Sequence, residues 1–339
     1  MKFVGFGEIM VRLAPDGYMR FPQVDHFNIN YTGAEANMCV SLSYMGVDSE
    51  FVTRLPENDI ADCALRKMAM YSVNTSHVVR GGDRIGLYYL ERGASQRPSK
   101  IIYDRKHTAI SEAKPEDFDW DEIFADADWF HFTGITVPLG PNLGEICRQA
   151  CIAAKKHGVK ISCDLNYRKA LWTPEQAQAV MRPLMQYIDV LIANEEDAEK
   201  VLGVKAPDTD ILTGKLSPEG YEQVARELTN TYGFSAVGIT MRGSISASVN
   251  EWSGLLYTGG KCYRSPKYTI QLVDRVGGGD SFASGLIFGY LHEYTPQETL
   301  DFAVAASCLK QSIEFDFNLS SVEEVHRLMG GDGSGRVQR

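Results

Sequence analysis

The sequence has no apolar run long enough to cross a membrane. A membrane-spanning helix needs about 18 or more consecutive, mostly apolar residues, and the 339-residue chain contains no such stretch. Its first residues, MKFVGFGEIMVRL, also hold too short an apolar run for a signal peptide. We therefore expect a cytoplasmic protein that does not enter a membrane.

Positive charge is scarce. Lysine and arginine number 34 against 44 aspartates and glutamates, which gives a formal net charge of -10. Nucleic acids and anionic membranes recruit basic surfaces, so we expect neither as a partner. An anionic ligand must instead meet cations that are arranged locally.

Cysteines are few, and their pattern excludes a disulfide framework. The seven cysteines are odd in number and scattered through apolar segments, as is typical of reduced thiols in a core. Cys147 and Cys151 share one face of a predicted helix, but no further Cys or His pair lies nearby to complete a zinc site. We expect both to be core residues.

Two familiar nucleotide-binding motifs are incomplete. Residues 255–262, LLYTGGKC, end like a P-loop, but Leu255 replaces its first glycine and Cys262 its Ser or Thr. Near the start, GFGEIM has Met10 in place of the third glycine of the dinucleotide fingerprint. A P-loop enzyme and a nicotinamide enzyme are therefore both disfavoured.

What is present is the rhythm of an α/β protein. Apolar, β-branched runs at 159–165, 188–193 and 236–241 predict buried parallel strands. Residues 140–158 show the apolar spacing of three and four that is typical of a helix. We predict a doubly wound, mostly parallel sheet with helices on both faces, and the length allows one large α/β domain or two ordinary ones.

Two segments break this rhythm. At about 11–31 and 84–105, aromatic and β-branched residues alternate with polar ones, which predicts half-exposed strands. We interpret them as a small antiparallel lid over a site on the main sheet. The glycine-rich end, 329–339, is predicted to be a flexible tail.

The densest chemical signal is VDRVGGGDSFASGLIFGYL, at 273–291, where a loop becomes a helix. Glycines at 277, 278 and 279 let backbone N–H groups approach a ligand, and the helix N-terminus attracts negative charge. We predict an anion hole for a transferring phosphate, with Asp280 as the base that accepts a hydroxyl proton. The plain alternative is a glycine-rich turn in which Asp280 caps the helix.

Three segments resemble signatures of the ribokinase family, also called the phosphofructokinase B type. The stretch at 273–285 matches the family's C-terminal signature at Asp274, Gly277, Gly279 and Asp280, with Arg275 where Thr is usual. Residues 31–46, YTGAEANMCVSLSYMG, resemble its N-terminal glycine signature. Residues 188–203 resemble its Asn-x-x-Glu element, with Asp197 in place of Glu.

The resemblance covers residues 1 to about 328 and is strongest to the 2-keto-3-deoxygluconate kinase branch. It implies a ribokinase-like fold and ATP-dependent phosphorylation of that sugar acid at its 6-hydroxyl, with Mg2+. It maps sugar contacts onto Gly33, Ala34, Glu35, Asn37, Tyr88 (or its neighbour Tyr89), Tyr103, Arg105 and Arg168, with Asp316 as a further candidate. It maps nucleotide contacts onto Asn194, Thr240, Arg242, Gly243, Ser246, Gly277 and Gly279, and a water-mediated magnesium contact onto Asp197.

Elementary chemistry favours the acid sugar independently. A carboxylate needs a fixed cation, and the planar fork of arginine offers two-point binding. Arg168 follows a predicted strand, at the end of the sheet where open α/β folds bind ligands. Lids of this family often pair between subunits, so the resemblance also implies a homo-oligomer. Two alternatives stay open: a kinase for a neutral sugar such as fructose or ribose, and a non-catalytic sugar or nucleotide sensor.

Overall fold

The structure is a computed structural model that describes residues 1–205 and 218–333. Residues 334–339 of the predicted tail lie outside the described residues. The strands are β1 (Lys2–Phe6), β2 (Met10–Ala14), β3 (Asn28–Thr32), β4 (Asp48–Val52), β5 (Arg54–Leu55), β6 (Val79–Arg80), β7 (Gly86–Glu91), β8 (Lys100–Asp104), β9 (Trp129–Thr133), β10 (Lys160–Asp164), β11 (Val190–Ala193), β12 (Ala236–Ser244), β13 (Val249–Thr258), β14 (Lys261–Arg264) and β15 (Tyr268–Gln271).

The α-helices alternate with most of these strands. They are α1 (Ala34–Tyr44), α2 (Asp59–Ala69), α3 (Trp120–Ile123), α4 (Leu143–Lys156), α5 (Pro174–Leu184), α6 (Glu195–Asp197), α7 (Pro218–Tyr232), α8 (Gly278–Leu291), α9 (Pro296–Lys310) and α10 (Val322–Met329). The short α6 continues as a π-helical turn over Ala198–Leu202.

The main sheet has the order β14-β13-β12-β11-β10-β9-β1-β4, and β15 pairs with β13. The neighbouring strands β12, β11, β10, β9, β1 and β4 pair in parallel. Strands β13, β14 and β15 extend the sheet beyond β12 through antiparallel pairs. The predicted strands correspond to β10, β11 and β12, and the predicted helix to α4. The doubly wound, mostly parallel fold is confirmed.

Helices cover both faces of this sheet because its strands are apolar on both sides. In β1, the buried Val4 and Phe6 pack into a core with residues of α4, α5 and α7, such as Ile146. Phe3 points the other way, into a core formed with α1, α8 and α9, which contributes Val304. This alternation follows from the two-residue period of a strand.

The sequence also anticipated two local features. Cys147 and Cys151 are fully buried on α4, as expected of core thiols. The P-loop-like run is a β-hairpin: Leu255 lies in β13, Gly259 and Gly260 form the turn at positive φ, and Cys262 lies in β14. A nucleotide-binding P-loop is therefore excluded there.

The segments predicted as a lid form a separate four-stranded sheet, β3-β2-β7-β8. The expectation of an antiparallel flap is wrong in one respect, since β2 and β7 pair in parallel. Between β3 and β7 the chain runs through α1 to β6 of the main body. The chain then re-enters the lid as β7, which runs in the same direction as β2. The two central strands of the lid, β2 and β7, are therefore parallel.

The register of this lid sheet separates two faces. One row across the strands, at the level of Tyr88, consists of Asn30, Arg12, Tyr88 and Tyr103. The next row, on the opposite face, consists of Ile29, Leu13, Tyr89 and Ile102. The first row contains buried polar groups, whereas Ile29 and Ile102 are 63% and 45% exposed. At the level of Tyr88 the inner face of the lid thus carries buried polar side chains, and the outer face carries exposed apolar ones.

In the part of the chain that the structure describes, none of the helices combines the length and apolar character needed to span a bilayer.

Candidate active site

Helix α8 begins at the glycine run, in which Gly277 and Gly279 have different surroundings. Gly277 precedes the helix at φ +82°, and a Cβ on it would come within 2.1 Å of the carbonyl oxygen of Asp316. Gly279 meets nothing within 4 Å, so its open side faces space that a ligand can enter. The first N–H groups of a helix lack intrahelical acceptors, and here the N–H of Gly278 donates outside the helix, to the carbonyl oxygen of Arg275 at 3.4 Å.

Asp280 is the third residue of α8, and its carboxylate is tied to the opposite side of the cleft. The side-chain amide of Asn37, on α1, donates a 2.6 Å hydrogen bond to Oδ2 of Asp280. The helix cap is Gly277, so the alternative of Asp280 as an N-cap is wrong. Asn37 is itself oriented by the hydroxyl of Thr32, which donates to Asn37 Oδ1 at 2.8 Å.

The environment of Asp280 makes its carboxylate a stronger base. Removal from water raises the pKa of Asp280 to about 7, although the Asn37 hydrogen bond favours the ionised form. The neighbouring charges of Glu35 and Asp316 contribute to this rise in the pKa, and the charge of Arg168 opposes it. A carboxyl group with a pKa near neutrality can accept a proton from a hydroxyl more readily than an ordinary aspartate.

The start of α1 lies against the loop that follows β1. Gly33 has extended backbone (φ −176°), but a Cβ on it would meet the carbonyl oxygen of Glu8 at 1.8 Å. Only glycine permits this close approach, which places Ala34, the half-buried first residue of α1, beside the loop.

Glu35 is buried deeper than a sugar contact needs to be. It is 1% exposed, and its Oε1 accepts from the backbone N–H and hydroxyl of Thr133 and from the hydroxyl of Thr136, at 2.7 to 2.9 Å. Burial raises the pKa of Glu35, while these donors oppose the rise. In this structure Glu35 fastens α1 to the end of β9.

Three carboxylates and one guanidinium converge beyond the ends of β10 and β11. Burial, followed by the charges of Asp197 and Asp280, raises the pKa of Asp164 well above its ordinary value. The positive charge of Arg168 acts in the opposite direction on all three acids. Arg168 is exposed and donates to the carbonyl of Tyr167 at 2.9 Å. It therefore stands near Asp280 with donors left for a ligand.

Asn194 and Asp197 form a local cap at the end of β11. Asn194 Oδ1 accepts from the backbone N–H of Asp197 at 2.8 Å, and Asp197 accepts from the N–H of Tyr167 at 2.9 Å. Burial raises the pKa of Asp197 to about 7. Within residues 1–205 and 218–333, no group of three or more His, Cys, Asp or Glu residues could hold a metal ion by itself.

The inner face of the lid brings together the other predicted sugar residues. The rings of Tyr88 and Tyr103 are 5.9 Å apart, and the Arg105 guanidinium lies 5.2 Å from the ring of Tyr103. Arg105 also forms an ion pair with Glu8, which is 3% exposed. Tyr89 lies on the outer face with its ring against Phe27, so Tyr88 is the tyrosine that faces inward.

A buried ion-pair network joins the lid to the loop of residues 272–277, which precedes α8. Arg12, 1% exposed, donates to Asp274 at 2.5 Å and to Asp316 at 2.6 Å. The hydroxyl of Tyr88 donates to the other oxygen of Asp316 at 2.7 Å. Both oxygens of Asp316 are thus engaged within the protein. Burial opposes the charge of Arg12, but the two carboxylates raise its pKa.

Lys310, at the end of α9, also contacts the loop that contains Asp274. Its ammonium is fully buried and donates to the carbonyl oxygens of Asp274, Ile313 and Phe315 at 3.1, 3.4 and 2.5 Å. Burial lowers the pKa of Lys310. The loop before Gly277 is therefore held between a guanidinium on one side and an ammonium on the other.

Four of the predicted nucleotide residues lie on β12 or in the turn that follows it. Thr240, Arg242 and Gly243 are within β12, and Ser246 lies in the turn to β13, where its hydroxyl accepts from two backbone N–H groups. The lid reaches this turn, because Ala247 N–H donates to the carbonyl of Ser95 at 2.7 Å. The lid, the β12–β13 turn and the loop of residues 272–277 thus line one cavity.

Comparison of the sequence with known proteins identifies its family. The sequence pattern of the pfkB family carbohydrate kinases matches residues 2–312. The chain belongs to that family. A curated relative from Haloferax volcanii, 2-dehydro-3-deoxygalactonokinase, is 30% identical over 98% of both chains. One from Thermoproteus tenax, 2-dehydro-3-deoxygluconokinase, is 28% identical over 97% of this chain and 94% of its own.

A solved structure agrees with both relatives. The crystal structure of 2-dehydro-3-deoxygluconokinase from Thermotoga maritima is 52% identical and superposes with a TM-score of 0.95, covering 98% of this chain and all of the other. This kinase therefore has the ribokinase-like fold, as the sequence signatures implied.

The sequence analysis did not identify three buried charged residues near the site, Arg12, Lys310 and Asp164. Arg12 is the single charged residue of the otherwise apolar strand MVRLA, and this could have indicated that it has a buried acidic partner. Lys310 resembled an ordinary cation at a helix C-terminus. Asp164 ends a parallel strand, which is where functional acids collect in α/β folds, and so its position could have been noticed.

Proposed function

We propose that this kinase transfers the γ-phosphoryl group of ATP to the 6-hydroxyl of 2-keto-3-deoxygluconate. The observation that carries the proposal is the position of Asp280, a carboxyl group with raised pKa in the first turn of α8, next to Gly279, whose Cα faces open space. The names of the three relatives, all kinases of 2-keto-3-deoxy sugar acids, support the substrate class.

In the proposed reaction, Asp280 accepts the proton of the 6-hydroxyl as its oxygen bonds to the γ-phosphorus. The bond from that phosphorus to the bridging oxygen breaks, and ADP leaves with the electron pair. Charge that develops on the transferring phosphoryl group is stabilised by the backbone amides at 277 to 279 and the helix N-terminus. Asn37 keeps the carboxylate aimed at the hydroxyl.

The acid end of the sugar would bind at Arg168, whose exposed guanidinium has free donors near Asp280. Arg105, Tyr88 and Tyr103 would close over the sugar from the lid. Gly33, Ala34 and Glu35 would shape the opposite wall, with Glu35 acting through the backbone it anchors. Asp316 would act indirectly, by holding Arg12 and Tyr88 in place.

Magnesium fits this site only in part. Bound Mg2+ would neutralise charge on the nucleotide phosphates. Asn194 and Asp197 occupy the Asn and Glu positions of the Asn-x-x-Glu element that the family resemblance associates with magnesium, and both are engaged with the backbone. They suit contact through water better than direct ligation. Thr240, Arg242, Gly243 and Ser246 would line the nucleotide side.

A second substrate deserves a direct comparison, since one relative is named for the galacto epimer, which differs at C4. The test is kcat/KM with ATP for both epimers, fructose and ribose. We expect the gluco acid to be preferred and the neutral sugars to react poorly. Preference for fructose or ribose would replace the acid assignment with a neutral-sugar kinase, and binding without turnover of any sugar would indicate a sensor.

The apolar outer face of the lid is proposed to pair with the same face of a second copy. Ile29 and Ile102 are large, apolar and exposed, and they lie in one row with Leu13 and Tyr89. Pairing would remove this row from water. It would also limit the lid to a few positions over the sugar.

A further inference from the structure

Arg275 and Arg242 of this kinase lie near enough for their charges to interact, and neither forms an ion pair with another of the described residues. Arg275 stands two residues before Gly277, and Arg242 lies near the end of β12. The family resemblance assigns Arg242 to the nucleotide loop, but it assigns no role to Arg275, which replaces the usual threonine.

The strand register brings the two side chains to the same surface. In the β12–β13 pair, Arg242 is opposite Trp252 and Ser244 is opposite Asn250. Positions two apart on a strand share a face, so Arg242 and Asn250 lie on one side of the hairpin. With its amide oriented to satisfy both neighbours, Asn250 accepts from Arg275 Nη2 at 3.2 Å. The buried Asn250 thus fixes the guanidinium of Arg275 beside Arg242.

Neither guanidinium is neutralised in the described part of the chain. Over residues 1–205 and 218–333, no carboxylate oxygen lies within 4.0 Å of a side-chain nitrogen of Arg242 or Arg275. The nearest acid in sequence, Asp274, is occupied by Arg12. On the opposite face of the hairpin, by contrast, Glu251 pairs with Lys267 at 3.1 Å.

This pairing is unfavourable in the empty protein. Burial, and then the charge of Arg242, lower the pKa of Arg275. Two like charges held near each other in a partly buried site destabilise the fold unless an anion lies between them. The adjacent loop leads directly into the N-terminus of α8, where phosphate groups are favoured.

We propose that Arg275 and Arg242 together bind the phosphate chain of the nucleotide donor, and that their mutual repulsion in the empty enzyme is relieved when the nucleotide binds. The proposal rests on the proposed function only in that the donor is a nucleoside triphosphate. Each planar guanidinium offers two parallel donors to phosphate oxygens, which a threonine cannot. Arg275 is therefore a determinant of nucleotide affinity in this chain.

The test is the binding of ADP and of a non-hydrolysable ATP analogue, measured by calorimetry with Mg2+ in wild type and in Arg275→Thr. We expect the nucleotide Kd to rise about 10- to 100-fold, the scale of one charge-assisted hydrogen bond. We expect KM for the sugar acid to change little. We also expect the melting temperature without nucleotide to change little, because the repulsion from Arg242 and the hydrogen bond to the buried Asn250 are removed together. Arg275→Lys should recover part of the affinity.

A matched control is Arg264→Thr, which removes an exposed arginine of the same sheet that pairs with Glu222. It should leave nucleotide affinity unchanged. Wild-type nucleotide affinity in Arg275→Thr would overturn the inference, as would a loss of stability without nucleotide together with raised KM for both substrates. Failure of the wild type to bind any nucleotide would instead overturn the proposed function. Nucleotide binding without turnover of sugar acids would leave the arginine pair standing and remove only the substrate.

Discussion

Asn37 and Asp280 face each other across the cleft, and the amide of one donates to the carboxylate of the other at 2.6 Å. This bond does two things at once. It aims the carboxylate, and it favours the ionised form of a group whose burial favours the protonated form. The reactivity of Asp280 is therefore set by the balance between these two effects.

Replacing Asp280 with Asn should reduce kcat by about 10² to 10⁴, because the proton acceptor is lost while the shape is kept. Nucleotide affinity, measured by calorimetry, should change little. Since Gly277 caps the helix, Asp280→Asn should also fold normally. Near-normal turnover in the purified variant would remove Asp280 as the base.

The pH dependence follows from the raised pKa of Asp280. Because the base must be ionised, kcat/KM should fall as the pH drops below about 7. In Asn37→Ala the hydrogen bond that favours ionisation is absent, so the acid limb should move to higher pH. An acid limb near the ordinary pKa of aspartate, or one that ignores Asn37→Ala, would contradict the assignment.

Stability should show the opposite trend with pH. The folded state holds a proton on Asp280 that the unfolded state has released between about pH 4 and 7. Wild type is thus expected to lose stability relative to Asp280→Asn through this window, by about 1 to 4 kcal/mol, and the difference should stay constant above it. Urea unfolding at several pH values measures this.

The glycines at 277 and 279 should respond differently to substitution. A side chain at 279 meets open space, so Gly279→Val should fold with a near-normal melting temperature, yet lose turnover because it blocks the phosphate. Gly277→Ala places a Cβ at positive φ and close to Asp316, so it should lower the free energy of unfolding by more than about 1 kcal/mol. Full turnover in Gly279→Val would place the phosphate elsewhere.

Arg168 tests the substrate class. Arg168→Ala should raise KM for 2-keto-3-deoxygluconate about 10- to 100-fold and leave KM for ATP nearly unchanged. Arg168→Lys should restore only part, since a point charge lacks the two-point fork. Arg148→Ala, which removes an exposed arginine of α4, serves as the control. Unaltered preference for the acid over fructose in Arg168→Ala would exclude Arg168 as the carboxylate site.

Lid pairing can be tested by charge. Lysine at both Ile29 and Ile102 should convert an oligomer to a monomer, measured by light scattering, because two charges would enter an apolar contact. Ile152→Lys, at a 42% exposed position on α4, is the matched control and should not change the mass. A monomeric wild type, or an unaltered mass in the double variant, would exclude this contact.

The sequence predicted well what depends on local chemistry and repeating pattern. The glycine run with Asp280, the strands ending near Arg168 and the buried α4 all follow from spacing or residue type. The nucleotide and sugar contacts were assigned from the family resemblance. All of these assignments, including Ser246 and Ala34, stay predictions.

What the sequence could not predict depends on contacts between distant segments. No pattern near Arg12 indicates that Asp274 and Asp316 will neutralise it. Likewise, no local pattern indicates that Thr133 and Thr136 donate to the carboxylate of Glu35, and its role as a sugar contact stays a prediction. The parallel pairing of β2 with β7 depends on the path of the intervening chain, which local periodicity does not describe.

The active site joins the two ends of the chain: Asn37 and Asp280 are 243 positions apart, and Arg12 and Asp316 are 304 apart. Synthesis proceeds from the N-terminus at roughly 5 to 20 residues per second. During most of that time the ribosome carries lid strands and α1 without the segment that begins α8. Arg12 lacks both of its carboxylate partners until Asp274 has been synthesised, and it lacks the second until Asp316 follows. Premature termination between these two residues would release a polypeptide whose buried guanidinium has one carboxylate partner instead of two, and we expect cellular proteases to degrade it more readily than the full chain.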